Sequence, residues 1–473
     1  MNSNSFASLA LAPALLDNLG ELGYQHMTPI QAQALPSIMA RRDLIAQAET
    51  GSGKTAAFGI GILHKINPNL SAIQALVLCP TRELADQVAR ELRRLARGIG
   101  NVKIITLCGG VSLGPQIHSL THGAHIIVGT PGRLIDHLDR ATLKLERLQT
   151  LVLDEADRMT DMGFADDIER IVAASPPHRQ TLLFSATYPA DIRAASAHFL
   201  RDPVEVTVAT DFDAERIEQR CHEVANGPGP RNAAVARLLS ATRPVSALVF
   251  CNTKVNCCDL AGALRQQGFN ATALHGDLEQ RERDEALIQF ANRSCSVLVA
   301  TDVAARGLDI QTLDLVINAE VSRSVDTHIH RIGRSGRGHG TTGLALNLCT
   351  PGEKRRLAQI EAFMKVPLHW HPLPEATEAT NAAAYQAPMQ TLCIQGGRKN
   401  KLRPGDILGA LTGDAGLTRE QIGKIDVTEQ TTYVAIAREA AKQALERLGA
   451  GNIKGRNFRM RYLAAGDTRE DTA

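Results

Sequence analysis

Along the first three-quarters of the chain, short runs of aliphatic residues alternate with longer stretches in which apolar positions return every three or four residues. The runs at 43–48, 75–80, 126–129, 151–154 and 181–185 are apolar on both alternating faces. That pattern predicts strands buried on both sides of a parallel sheet. Between them, 83–98 has helical spacing and closes on a glycine. Strands alternating with helices predict a doubly wound sheet. A turn-rich break, Asn226-Gly-Pro-Gly-Pro230, precedes a second series at 247–251, 297–301, 315–318 and 343–347. Two α/β domains are therefore expected, at 1–208 and 209–372.

The pattern then changes. Residues 373–388 are rich in Ala, Thr, Pro and Glu without periodicity, which reads as a linker. Beyond it, 391–394 is strand-like, 403–411 helical, 422–428 and 431–436 a strand pair, 438–448 helical and 458–463 a last strand. The order βαββαβ predicts an α+β, RRM-like domain at 389–463. The end, 464–473, reads as a frayed tail.

A length of 473 residues accommodates this count, at roughly 100–200 residues per domain. Hydrophobic residues at 44% and charged residues at 22% are ordinary globular values and exclude a disordered or fibrous chain. Aromatics are only 4%, so the cores must be aliphatic and nucleic-acid binding cannot rest on many stacking rings. The net charge of +2 hides an asymmetry. Residues 389–473 carry 14 Lys/Arg against 10 Asp/Glu, whereas 1–388 carry 38 against 40. Ending the count at 463 leaves the last domain at +6, the balance of a polyanion-binding appendage. The nine cysteines form no CxxC pair and no zinc spacing, which fits a reducing cytoplasm and no zinc. No basic stretch leads into an apolar one at the start, and no apolar run approaches ~20 residues, so neither a signal peptide nor a membrane contact is expected.

Several strings carry chemistry. Ala48-Glu-Thr-Gly-Ser-Gly-Lys-Thr55 stands between a strand and a helix, where backbone N–H groups meet phosphates and glycines allow close approach. Glu49, Thr50, Gly51, Ser52, Gly53, Lys54 and Thr55 thus form a candidate ATP cradle. Lys54 reaches the β/γ-phosphates and the Thr55 hydroxyl meets Mg²⁺. Its first position is Ala48, where the general pattern has glycine. Leu151-Val-Leu-Asp-Glu-Ala-Asp157 puts carboxylates at the end of a buried strand, the edge where open α/β sheets bind ligands. Asp154 would hold Mg²⁺, and Glu155 would orient and deprotonate the attacking water. Ser185-Ala-Thr187 takes its meaning from its pairing with these carboxylates. His330-Arg-Ile-Gly-Arg-Ser-Gly-Arg337 concentrates guanidinium groups suited to phosphate, with Arg334 and Arg337 as arginine fingers. Gln31, in Gly23-Tyr-Gln-His-Met-Thr-Pro-Ile-Gln31, can present an amide to a base edge. Taken singly, each string also reads as an ordinary turn, acidic loop or solvated basic loop.

Together, in this order and spacing, these strings resemble the motif set of DEAD-box RNA helicases from Phe6 to about Asn347. The resemblance implies two RecA-like domains and RNA-stimulated ATP hydrolysis. It assigns Phe6 and Gln31 to adenine, Asp309 to the ribose, and His330 with Arg334 and Arg337 to catalysis. It assigns Ser185 and Thr187 to coupling of hydrolysis with unwinding. Pro80, Thr81, Arg82, Gly109, Gly110, Thr130 and Arg133 match first-domain contacts to the RNA backbone, and Asn252, Thr253, Gln280, Arg283, Thr301 and Gly307 match second-domain ones. Ser335 stands where many members have Thr. Thr391-Leu-Cys-Ile-Gln-Gly-Gly397, 403–413 and 422–426 resemble the C-terminal domain of the bacterial DEAD-box protein A branch. That implies 23S rRNA as partner and a role in large-subunit assembly. The first strand of this domain lacks an aromatic and the third offers only Tyr433. RNA recognition is therefore expected on basic loops, at Arg398, Lys399, Lys401, Lys454 and Arg456, with Arg459 and Arg461, rather than on a stacking sheet.

The reading is an ATP- and Mg²⁺-dependent cytoplasmic RNA helicase, its oligomeric state open with a monomer favoured, whose closing domains melt a short duplex while the C-terminal domain supplies target choice. A DNA helicase or translocase is the alternative within the class. A non-catalytic RNA-binding scaffold is the alternative outside it, and intact Lys54, Asp154, Glu155, Arg334 and Arg337 speak against that. A nucleotide switch without nucleic acid is disfavoured by the basic C-terminal domain.

Overall fold

The structure is a computed structural model, and it describes residues 4–48, 51–188, 190–208, 217–305, 313–335, 343–375 and 386–463. The first sheet has strands β1 (Leu44–Gln47), β2 (Ala75–Leu78), β3 (Ile104–Leu107), β4 (Ile126–Gly129), β5 (Thr150–Asp154), β6 (Gln180–Ser185) and β7 (Val204–Thr207). They lie in the order β3-β4-β2-β5-β6-β1-β7, every neighbour parallel. β2, β4, β5 and β6 are buried at every position, as aliphatic runs between two helical layers must be. The helix Arg82–Leu95 shows how the layers form. Thr81 caps it by accepting from the Leu84 amide, and Leu84, Ala85, Val88, Ala89, Leu92 and Leu95 make one buried stripe. Its neighbour Lys54–Lys65 packs close because Gly59 and Gly61 leave no Cβ against Leu92, Leu95 and Ile38.

The second sheet repeats the plan with β8 (Ile217–Glu223), β9 (Ala247–Cys251), β10 (Ala271–Leu274), β11 (Val297–Thr301), β12 (Leu315–Asn318), β13 (Gly343–Cys349) and β14 (His369–Trp370). Its order is β10-β11-β9-β12-β13-β8-β14, again parallel throughout. β3, β7, β8, β10 and β14 are strands that the aliphatic pattern did not mark. β8 reads as polar, with Glu218 and Glu223 exposed, and β14 has only two residues.

The third sheet has β15 (Met389–Ile394), β16 (Ile422–Val427), β17 (Thr432–Ala437) and β18 (Met460–Tyr462), antiparallel in the order β16-β17-β15-β18. With the helices Pro404–Thr412 and Ala441–Ala450 it has the expected βαββαβ order. One face, with Leu392, Ile394, Val434 and Ile436, packs on these helices as the domain's own core.

The opposite face is not open. Cys393, Tyr433 and Leu463 form a small apolar cluster with Ile288, on the helix Gln280–Ala291 of the second sheet's domain. Around it, Thr391 Oγ1 is bonded by Ser294 Oγ at 2.6 Å and Asn292 Nδ2 at 3.2 Å, and Tyr433 Oη donates to Glu285 Oε1 at 3.4 Å. The chain just before β15 is tied down as well: Ala387 N donates to Asn270 Oδ1 at 2.8 Å, and Arg438 grips the Ala387 carbonyl. The chain accordingly divides into two compact units, one on the first sheet and one on the second and third sheets together. Most of the expected linker, 376–385, lies outside the described residues, as does the terminal stretch 464–473.

Candidate active site

The expected nucleotide cradle lies just beyond β1. Gly51 and Gly53 take left-handed backbone, φ +90° and +97°, and Lys54 starts a 12-residue helix. A Cβ on Gly53 would lie 2.5 Å from Gln31 Nε2, so only glycine fits this close passage. Gln31 Nε2 donates to the Gly53 carbonyl at 3.2 Å, and its Oε1 accepts from Thr28 N at 2.9 Å. The expected adenine reader is thereby wired to the phosphate loop. The Thr28 hydroxyl beside Gly53 is buried without a partner among the described residues. Phe6 is only 2% exposed and meets Tyr24 edge-on, so stacking on a base requires it to leave an apolar cluster. Glu49 and Thr50 lie outside the described residues.

Lys54 is buried and its Nζ donates to the Ala48 carbonyl at 2.7 Å. Asp154 ends β5 fully buried. Burial pushes its carboxyl up to about 7, opposed by the positive charge of Lys54 and aided by Glu155. With Thr55 it offers hard oxygen donors, the set Mg²⁺ prefers. Glu155 follows in left-handed backbone, φ 55° and ψ 53°, at the start of the short helix Ala156–Asp161. Its Oε2 accepts from Arg158 Nη1 at 2.5 Å, in an ion pair buried on both sides. Asp157 turns the other way. Its Oδ2 accepts from Ala186 N at 3.2 Å, Thr187 N at 3.0 Å and Thr187 Oγ1 at 3.1 Å, and its own amide donates to Ser185 Oγ at 3.2 Å. The Ser185–Thr187 segment is thus fastened to the acidic strand end that gives it meaning.

In the second domain a residue without an assigned role organises the site. Arg331 is almost fully buried, and its fork clasps Asp302 at 2.6 and 2.8 Å. It also donates to the Glu320 carbonyl at 2.8 Å and to Asn252 Oδ1 at 2.7 Å. The string 330–337 displayed this arginine, but its partners lie 11 to 79 residues away. Asn252 spends its amide here, since Nδ2 donates to the Val321 carbonyl at 3.0 Å. Its backbone amide donates to Glu320 Oε2 at 2.6 Å. Arg334 is buried just beyond the helix Val325–Ile332, which carries His330. Ser335 Oγ donates to the Ile332 carbonyl, a bond that Thr would also make. Gly307, Asp309 and Arg337 lie outside the described residues.

The other expected RNA residues fall on helix starts and strand ends. Thr81 and Thr130 precede helices, Gly110 has φ +74°, and Arg133 donates to the Val111 carbonyl at 3.0 Å. Arg82 Nη1 is buried without a partner among the described residues. Thr253 caps the helix Lys254–Gln266, Thr301 ends β11, and Gln280 and Arg283 lie on the helix that carries the third sheet. In the C-terminal domain Arg398, Lys399, Lys401, Lys454, Arg456 and Arg459 are exposed. Lys454 Nζ reaches the Lys401 carbonyl at 3.3 Å and Asp406 at 3.1 Å, joining two basic segments far apart in sequence. Arg461 is exposed as well, and it lies 3.9 Å from Glu285, on the same face as Cys393.

Comparison with known proteins decides the family. Residues 28–195 match the DEAD/DEAH box helicase family, 230–339 the helicase conserved C-terminal domain, and 391–462 the DbpA RNA binding domain. The chain is 52% identical over 461 residues to the ATP-dependent RNA helicase DbpA of Escherichia coli strain K12, covering 97% of this chain and 99% of that one. It belongs to the DbpA branch of the DEAD-box ATP-dependent RNA helicases. The helicase is also 44% identical over 362 residues to the DEAD-box ATP-dependent RNA helicase CshA of Bacillus subtilis, covering 76% of this chain and 72% of that one. Among solved structures, S. cerevisiae Dbp5 bound to RNA and ADP BeF3 is 30% identical with a TM-score of 0.71, covering 80% of this chain and 99% of that one. Among the described residues of the helicase, no helix is long and apolar enough to cross a membrane.

Proposed function

We propose that the helicase melts short duplexes in 23S rRNA during large-subunit assembly, brought there by its C-terminal domain. ATP sits on Gly51–Thr55 with Lys54 at the β/γ-phosphates, and Gln31 reads the adenine. Asp154 and Thr55 hold Mg²⁺, which supplies neutralisation of phosphate charge when bound. Glu155 takes the proton of the attacking water, while Arg334 and Arg337 meet the charge that develops on the γ-phosphoryl group. Asp157 relays the state of this site to Thr187. The residues expected at RNA meet sugars and phosphates, which position a strand without reading its sequence.

One observation carries the choice of target surface. The sheet face on which RRM-like domains stack bases is buried against Gln280–Ala291, whereas the segments at Arg398–Lys401 and Lys454–Arg456 are exposed and joined. The test compares ATPase stimulation by 23S rRNA fragments and by unrelated RNA of equal length. A Lys401→Glu/Arg456→Glu variant should lose the preference for rRNA and keep stimulation by generic RNA. Equal stimulation of the unaltered protein by both RNAs defeats the targeting role.

A further inference from the structure

The geometry points to Arg158 as a positioning residue that holds the carboxylate of Glu155 in place for the attacking water. This rests on the reading of Glu155 as the base. Glu155 stands at the N-cap of Ala156–Asp161, where an acidic side chain ordinarily bonds the first amides of its helix, and here it makes no such bond. Its Oε2 turns instead to Arg158 Nη1 at 2.5 Å, across one helical turn. Such a pair is usually a surface staple that adds little to stability. This one is not at the surface: the two side chains are 3% and 6% exposed. Burying two charges costs about as much as their attraction returns, so stability alone is a weak reason to keep the pair.

Orientation is a better reason. Glu155 sits in left-handed backbone, uncommon for a residue with a Cβ. A glutamate held only by its own rotamers would sample several directions. A guanidinium on one oxygen selects one direction and leaves Oε1 as the proton acceptor. Oε1 has no hydrogen-bond partner among the described residues. In the step itself the water oxygen bonds to the γ-phosphorus, the bond to the bridging oxygen breaks with its electron pair leaving on ADP, and the water proton passes to Oε1.

The test uses the full-length protein with Arg158→Met, Arg158→Lys, Glu155→Gln and the Glu155→Gln/Arg158→Lys double variant. RNA-stimulated kcat, the KM for ATP, binding of a non-hydrolysable ATP analogue and the thermal midpoint are measured. Arg158→Met should lower kcat at least tenfold, with KM and analogue binding within twofold of the unaltered protein. Arg158→Lys should restore kcat to within about threefold. A kcat within twofold in Arg158→Met overturns the proposal. So does a joint loss of kcat, analogue binding and thermal midpoint that Lys does not rescue, because that is a structural role. If Arg158→Met does not fold, the double variant decides. Positioning requires that Lys add nothing once Glu155 is Gln, and a further loss in that background refutes it. Normal turnover in Glu155→Gln removes the base assignment itself, a result distinct from either outcome at Arg158.

Discussion

Lys54 and Asp157 show how single side chains divide the labour of one strand end. Lys54 is the positive charge beside Asp154, and Lys54→Ala leaves a buried carboxyl without it. Phosphate-release assays should show RNA-stimulated hydrolysis down by about two orders of magnitude or more. Asp157→Asn is subtler. One carboxylate oxygen serves two amides and a hydroxyl, while the other accepts the Arg158 amide. An amide group cannot accept on both sides, so one set loses a partner at roughly 1–3 kcal/mol. The expected result is ATP turnover within a few-fold of normal with much less duplex separated per ATP, read by measuring both on the same preparation. What the sequence made legible at this scale is contiguous chemistry. Lys54, Glu155 and Arg334 announce themselves because their motif neighbours are adjacent. The clasp of Arg331 on Asp302, Asn252 and Glu320 was not legible, because its partners follow three separate strands.

At the level of elements, strands buried at every position are written as aliphatic runs, and strands that meet solvent are not. β14, at the edge of its sheet, is exposed at both positions, and β8, one strand in, carries exposed Glu218 and Glu223. Two elements invite measurement. The helix Val325–Ile332 buries His328, whose Nε2 bonds Gln219 on β8 at 2.9 Å. Burial, with Arg331 nearby, holds its imidazole down at about 3, against an ordinary 6.5. A depressed folded value means that stability is present above 6.5 and is lost as pH falls toward 3, by up to ~1.4 kcal/mol per pH unit. Urea midpoints should therefore decline below about pH 6.5, and His328→Gln should make that decline shallower. The helix Gln280–Ala291 is tested by Tyr433→Glu, which sets a carboxylate against Glu285 in a buried cluster. Burying it unpaired costs a few kcal/mol at about. The C-terminal domain, cored on its other face, should stay folded, while amides in 280–294 gain hydrogen exchange.

For the whole molecule, the βαββαβ order was legible and the fate of its sheet was not. The scarcity of aromatics argued against base stacking, but only the tertiary structure shows a motor helix in that place. Removing 389–473 is expected to have two effects. Preference for rRNA should vanish while stimulation by generic RNA remains, measured as ATPase rates with each RNA. The truncated protein should also lose solubility or thermal stability, because Ile288, Asn292 and Ser294 lose their cover. A deletion that changes RNA preference with no change in midpoint would mean that the docking contributes little.

That docking also limits how such a chain can be rearranged over evolutionary time. A domain that hangs on a string can be exchanged between motors by recombination at the string alone. Here the exchange must carry a matching surface, with small or apolar groups at Cys393, Tyr433 and Leu463 meeting Ile288, and Thr391 meeting Asn292 and Ser294. A transplanted domain bearing charge at 393 or 433 would arrive with its RNA grip intact and its seat lost. Covariation of these few positions should therefore mark which helicases inherited domain and seat as one heritable unit.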